Sequence, residues 1–123
     1  MTDHLTYATD ETLTIAIGDP TPWGPADHVT NVAPGIAFVS TARHGGYRLG
    51  RARNEAIPKG VRDATFRRLG VQGWYEEDCD AVIVAVWHQD ILSCPSRIDS
   101  AADALRRYLP DAYRRARLAG LID

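Results

Sequence analysis

The hydrophobic pattern changes period at Gly50. Before it, apolar residues alternate with polar ones or gather in short β-branched runs cut by Gly and Pro. After it, they recur at helical spacing. This pattern points to an α+β domain. A small, mostly antiparallel sheet comes from the N-terminal half, packed by three to four helices from the C-terminal half. A length of 123 residues suits one domain, residues 1–123, whose core needs no metal or disulfide staple.

In the first half, residues 1–10 are polar and read as a frayed or edge segment. Leu13, Ile15 and Ile17 alternate with Thr12, Thr14 and Ala16, a half-buried strand over residues 11–17. Gly18-Asp19-Pro20 ends it. Residues 21–25 form a stiff loop, because two prolines and a glycine oppose regular pairing. Residues 28–32 and 36–41 read as strands separated by Pro34-Gly35. Gly45-Gly46 reads as a turn, with residues 47–49 pairing back as a hairpin arm.

In the second half, residues 51–57 form a helical turn stopped by Pro58, and residues 61–69 are helix-like. Residues 76–90 are the strongest helix candidate, with Glu76, Glu77 and Asp78 in the first turn, where acids complement the macrodipole. The competing reading is a buried strand over residues 81–87. Asp99 or Ser100 caps a helix running to Tyr108, with Ala101, Ala104, Leu105 and Tyr108 as its apolar stripe. Pro110 opens a last helix over residues 111–119, stopped by Gly120.

Charge is banded along the chain. Residues 1–42 hold five acids and no Lys or Arg, whereas residues 43–68 hold eight basic side chains against two acids. Residues 76–103 hold seven acids against Arg97, and residues 104–123 hold five Arg against two Asp. Such bands pair on folding or leave faces of opposite sign that steer a charged partner. No apolar run approaches the roughly 20 residues of a membrane span. The N-terminus lacks a basic region ahead of an apolar core, so no signal peptide is expected. Cys79 and Cys94 read as reduced thiols of a cytoplasmic protein.

Reactive side chains gather between residues 40 and 79. His44 beside two glycines suits a general base or an anion ligand near neutral pH. Its plainer role is to hydrogen-bond a carbonyl while the glycines supply positive φ. Glu76 and Asp78 can orient it; Glu77 reads as solvated. Cys79 suits a nucleophile near a helix N-terminus, or a small buried hydrophobe on the stripe with Val82, Ile83 and Val86. Trp87 and His88 read as structural. His and Cys spacing matches no metal motif, and no cofactor is expected. Arg43, Arg48, Arg51 and Arg53 can neutralise phosphates, or form a solvated face paired with the acidic bands. Tyr47, Trp74 and Tyr75 are candidate partner contacts, with Trp74 and Tyr75 expected at the surface.

Thr41-Ala42-Arg43-His44-Gly45-Gly46, then Arg53-Asn54 ahead of Ile57-Pro58, then Gly73-Trp74-Tyr75-Glu76-Glu77-Asp78-Cys79 resemble the signature of an uncharacterised bacterial domain. Trp23-Gly24-Pro25 and Ala33-Pro34-Gly35 resemble its upstream part, and Tyr108-Leu109-Pro110-Asp111-Ala112-Tyr113 resembles a tail common in such proteins. The resemblance covers the chain from about Trp23 onward. Gly50 departs from it, where a Ser-like helix cap is expected. Domains of this kind occur in phages, plasmids and other mobile elements. The resemblance implies a counter-defence role, an anti-CRISPR or anti-restriction-like inhibitor that binds a host protein or protein–nucleic acid complex. It assigns no catalytic residue. Two other readings stand beside it: a small hydrolase or transferase using His44 with Glu76 or Asp78, and a nucleic-acid-binding module using the basic band from Arg43 to Arg68.

Overall fold

The computed structural model describes residues 13–123. A four-stranded antiparallel sheet has its strands in chain order, and a separate two-stranded hairpin precedes it. The large sheet is built from β3 (His28–Ala33), β4 (Ile36–Ser40), β5 (Gly45–Leu49) and β6 (Trp74–Glu76). The helices are α1 (Arg51–Glu55), α2 (Lys59–Asp63), α3 (Ala81–Trp87), α4 (Arg97–Tyr108) and α5 (Pro110–Leu118). The fold is α+β, with its sheet mainly in the N-terminal half and its longer helices in the C-terminal half.

The sheet begins later than the alternation suggested. Residues 13–17 form no strand, and Ile17 is largely exposed. Local chemistry wins there: Asp19 Oδ2 accepts the Ala16 N–H at 2.8 Å, an Asx-type contact that competes with a ladder. Glu11, Thr12 and residues 1–10 lie outside the described residues. The proline-rich stretch does pair, contrary to expectation. β1 (Pro20–Thr21) and β2 (Gly24–Pro25) form a tight hairpin. Thr21 Oγ1 donates to the Gly24 carbonyl at 2.6 Å and accepts the Trp23 N–H at 3.1 Å, which leaves Trp23 in its tip.

Gly45 and Gly46 are strand residues, not the turn. The turn lies at residues 41–44, and Thr41 organises it. Its hydroxyl donates to the His44 carbonyl at 2.7 Å and accepts the Arg43 and His44 N–H groups, both at 3.2 Å. Neither glycine has positive φ. They are needed for close approach: a Cβ at Gly46 would fall 2.3 Å from the Tyr75 carbonyl oxygen and 2.6 Å from the Trp23 ring. One at Gly45 would fall 2.8 Å from both the Val39 carbonyl oxygen and Glu77 Oε2.

Glu76 closes a strand instead of opening a helix. β6 pairs with β5 as Gly46↔Glu76, Tyr47↔Tyr75 and Arg48↔Trp74, and the Glu77 N–H continues to the Gly45 carbonyl at 2.9 Å. The free edge of β5 offers hydrogen-bonding groups that a helix over the same residues would leave unmet. The helix starts only at Ala81. Over Ala81–Trp87 it is a helix and not a strand, with Ile83, Val84, Val86 and Trp87 buried.

The helix-like stretch over residues 61–69 is also divided. α2 ends at Asp63, and a 3₁₀ segment follows over Phe66–Gln72, in which Arg67 and Arg68 have φ of 53° and 56°. Thr65 drives the break: its hydroxyl donates to the Arg62 carbonyl at 2.6 Å and accepts the Gly70 N–H at 2.8 Å. α1 forms despite Gly50 at its N-cap, with no side-chain cap. α4 starts at Arg97, ahead of Asp99 and Ser100, with Ser96 at the N-cap position and no capping side-chain bond. Pro110 occupies the first turn of α5, and Gly120 follows with φ of 75°.

One core joins the sheet to the helices, with Ile36, Leu49, Ile57, Val61, Tyr75, Ile83, Val86 and Leu105 at its centre. Tyr108 is not part of it, remaining 71% exposed. A buried polar cluster ties α1 to the end of α3. Arg53 donates to both Asp90 carboxylate oxygens at 2.9 and 2.8 Å and to the Pro34 carbonyl at 2.8 Å. It also lies 3.2 Å from His88 Nδ1, while His88 Nε2 lies 2.8 Å from the Arg53 carbonyl. A guanidinium only donates, so Nδ1 accepts and Nε2–H donates, which defines a neutral imidazole. His88 and Trp87 are structural, as their position at the helix end suggested. Among the described residues, no helix is long and apolar enough to cross a membrane.

Candidate functional site

The pairing of β5 with β6 brings the two ends of the reactive stretch together as neighbouring strands. Beside them lies an open cleft of about 730 Å³. His44 enters from the turn before β5, and Glu76 from the end of β6. Trp23 and Asp27 come from the hairpin side, Arg43 from the turn, and Phe66 and Arg67 from the 3₁₀ segment. Four separated stretches of chain thus converge on one concavity.

Its side chains differ in how they are held. His44 and Arg43 are exposed. Thr41 fixes the backbone of their turn, so the expected turn-fixing duty does not fall on the imidazole. Glu76 is buried, and its Oε1 accepts the Cys79 thiol at 3.3 Å. Arg67 stacks over the Phe66 ring, 5.3 Å from its centroid. Trp23 Nε1 is buried and has no hydrogen-bond partner.

Asp78 does not reach this cleft's wall. It lines a second cavity of about 420 Å³ with Phe66, Cys79, Asp80, Val82 and Tyr108. Cys79 is exposed in the turn after β6, which corrects its expected place on a buried stripe. It is also a poor nucleophile: partial desolvation of the sulfur where it meets Glu76, then the Glu76 hydrogen bond itself, pushes the thiol up to about 11.

Asp80 carries no signal in the sequence that separates it from its acidic neighbours, yet it holds the cleft together. It is 2% exposed, and its Oδ2 accepts the Phe66 N–H at 3.0 Å. Burial, with the Glu76 charge adding to it, raises its carboxyl to about 6 against the opposing Phe66 N–H.

The expected contact residues fall into two groups. Trp74 is half-buried; its ring meets Trp23 edge to face at 5.6 Å, and Arg48 lies over it at 5.2 Å. Arg48 also donates to the Gln72 carbonyl. Tyr47 packs edge to face on Phe38 at 5.2 Å, and burial raises its hydroxyl. Arg51 is exposed and pairs with Glu55 at 3.2 Å. Tyr75 and Arg53, by contrast, are fully buried. The Tyr75 hydroxyl donates to Asn54 Oδ1 at 2.6 Å. Neither can be a surface contact: period-two pairing on β6 turns Tyr75 inward, and Arg53 is consumed by Asp90 and His88. Among the described residues, no group of three or more His, Cys, Asp or Glu could hold a metal ion.

A family model described as a domain of unknown function, DUF7007, matches residues 16–120. No curated protein and no solved structure matches the chain.

Proposed function

The chain belongs to the DUF7007 family, domains of unknown function, and from its cleft we propose that it is a binding module that captures a partner macromolecule. The reading is carried by the segment that brings Arg67 to the cleft, where Arg67 and Arg68 are consecutive non-glycine residues in the left-handed region. Each such conformation costs on the order of 1–2 kcal/mol and persists where surrounding structure enforces it, commonly at binding sites. Here Thr65 and Asp80 enforce it from either side.

The partner is a host protein or a host protein–nucleic acid complex, and the role is counter-defence on behalf of a phage or plasmid. This finer statement draws on the resemblance of the His-Gly-Gly and Trp-Tyr-Glu-Glu-Asp-Cys blocks to mobile-element domains. The geometry is compatible with binding: Arg43, His44, Phe66 and Arg67 all reach solvent around one concavity. The test is affinity capture from a bacterial host lysate, wild type beside a Phe66→Ala/Arg67→Ala double variant. A partner retained by wild type and lost by the variant is expected. Identical capture by both would sink the cleft as the contact surface.

A second reading is favoured by one observation: His44 and Glu76 line the same cleft. An imidazole and a carboxyl so placed suit acid–base chemistry in a hydrolase or transferase. In that case His44→Ala abolishes turnover of whatever substrate is found and leaves the melting temperature unchanged.

A further inference from the structure

Phe66 stands between two cavities and lines both. The residue is 44% exposed, unusual for a Phe with a core available nearby. On one side lies the cleft with Arg43 and Arg67. On the other, Ala64, Val82, Ala104, Tyr108 and Leu109 make a mainly apolar wall, closed by the outstanding Tyr108 ring. The two cavities are neighbours across Phe66, the residue their linings share.

We propose that these two cavities together dock an extended peptide segment of a partner protein. An acidic side chain of the peptide enters between Arg43 and Arg67. A neighbouring apolar side chain seats against Val82, Ala104 and Tyr108. The proposal rests on the binding reading above and gives it a chemistry.

Charge complementarity selects the occupant. Arg51, Arg68, Arg106 and Arg114 each lie within ion-pair reach of an acid on their own segment or the one before it. Among the described residues Arg43 and Arg67 have no such acid, and both line the cleft. A carboxylate from outside supplies the missing charge, and a guanidinium receives it with two parallel hydrogen bonds. A nucleic acid strand fits less well. Its phosphates would pass the exposed carboxylates of Asp27 in the first cavity and Asp78 in the second, whereas one carboxylate need only meet the arginines. The exposed carboxylates of Asp27 and Asp78 can instead accept N–H groups of an extended peptide backbone.

The experiment is selection of a displayed random 12-residue peptide library on the immobilised full chain. Enriched sequences should place Asp or Glu close to Leu, Ile or Phe. A labelled copy of the best one should lose at least tenfold in affinity against Arg67→Glu and several-fold against Tyr108→Ala, both changes at exposed sites. Circular dichroism spectra matching wild type establish that the variants are folded. Enrichment of basic sequences, no enrichment, or binding indifferent to both variants overturns the proposal. Tighter, steeply salt-dependent binding of a labelled oligo-dT strand that displaces the peptide also overturns it, in favour of a nucleic acid. If selection fails while the lysate partner is still lost on mutating Phe66 and Arg67, the peptide chemistry falls and the binding reading stands. If both fail, both fall.

Discussion

The buried carboxylate of Asp80 accepts the backbone N–H of Phe66 at 3.0 Å, across fourteen residues of sequence. This bond ties the turn after β6 to the start of the segment that carries Arg67 to the cleft.

Burial, more than the nearby Glu76 charge, pushes the Asp80 carboxyl up from its ordinary 3.8 to about 6. The folded state therefore disfavours its ionised form. Its contribution to stability is fully present below about pH 4 and is lost as pH rises through 6, on the order of 2–3 kcal/mol in all. Asp80→Asn keeps an acceptor for Phe66 without the charge. It should raise the melting temperature at neutral pH and flatten the slope between about pH 4 and 7. Asp80→Leu, which orphans the Phe66 N–H, should destabilise at every pH. An unchanged slope in Asp80→Asn would place the titrating group elsewhere.

Gly46→Ala should destabilise by about 2–4 kcal/mol, because the new methyl meets backbone and not only a side chain. Removing the Trp23 ring in the same chain should not restore stability, since the Tyr75 carbonyl oxygen remains in place. Urea denaturation of the two variants decides it. Full rescue by Trp23→Ala would show that the strands can part at little cost.

Arg53→Leu takes away the guanidinium that Asp90, His88 and the Pro34 carbonyl all accept from. The expected cost is about 3–5 kcal/mol, as for breaking a buried ion pair from one side. Arg53→Leu with Asp90→Leu should cost less than the sum of the two single changes. Additive losses in a double-mutant cycle would mean the two groups act independently.

His44→Ala should change stability by less than about 0.5 kcal/mol, in line with an exposed side chain. Thr41→Val should cost about 1–2 kcal/mol, because the hydroxyl serves the turn in three bonds. The reverse order in thermal melts would return the structural role to the imidazole.

The two thiols should react in a definite order. Ser96 beside Cys94 lowers its thiol below the usual range, while partial desolvation and Glu76 raise that of Cys79 to about 11. Iodoacetamide near pH 8 should label Cys94 first, read by peptide mass mapping. Faster labelling of Cys79 would contradict the acidic surroundings assigned to it.

Periodicity and punctuation alone determined much of this protein: the α+β class, strands β3 and β4, and the start of α5 at Pro110. These are local properties, written in side-chain spacing and in proline's missing N–H. Tertiary structure decided where backbone had to find partners. Glu76 became a strand end because β5 needed a neighbour, which in turn explains why Gly46 carries no side chain. Arg53 left the basic surface band for the core because Asp90 and His88 arrive there from 35 or more residues away. Asp80 is set apart from Glu77 and Asp78 by its burial and its bond to the Phe66 N–H, and a stretch of adjacent acids reveals neither.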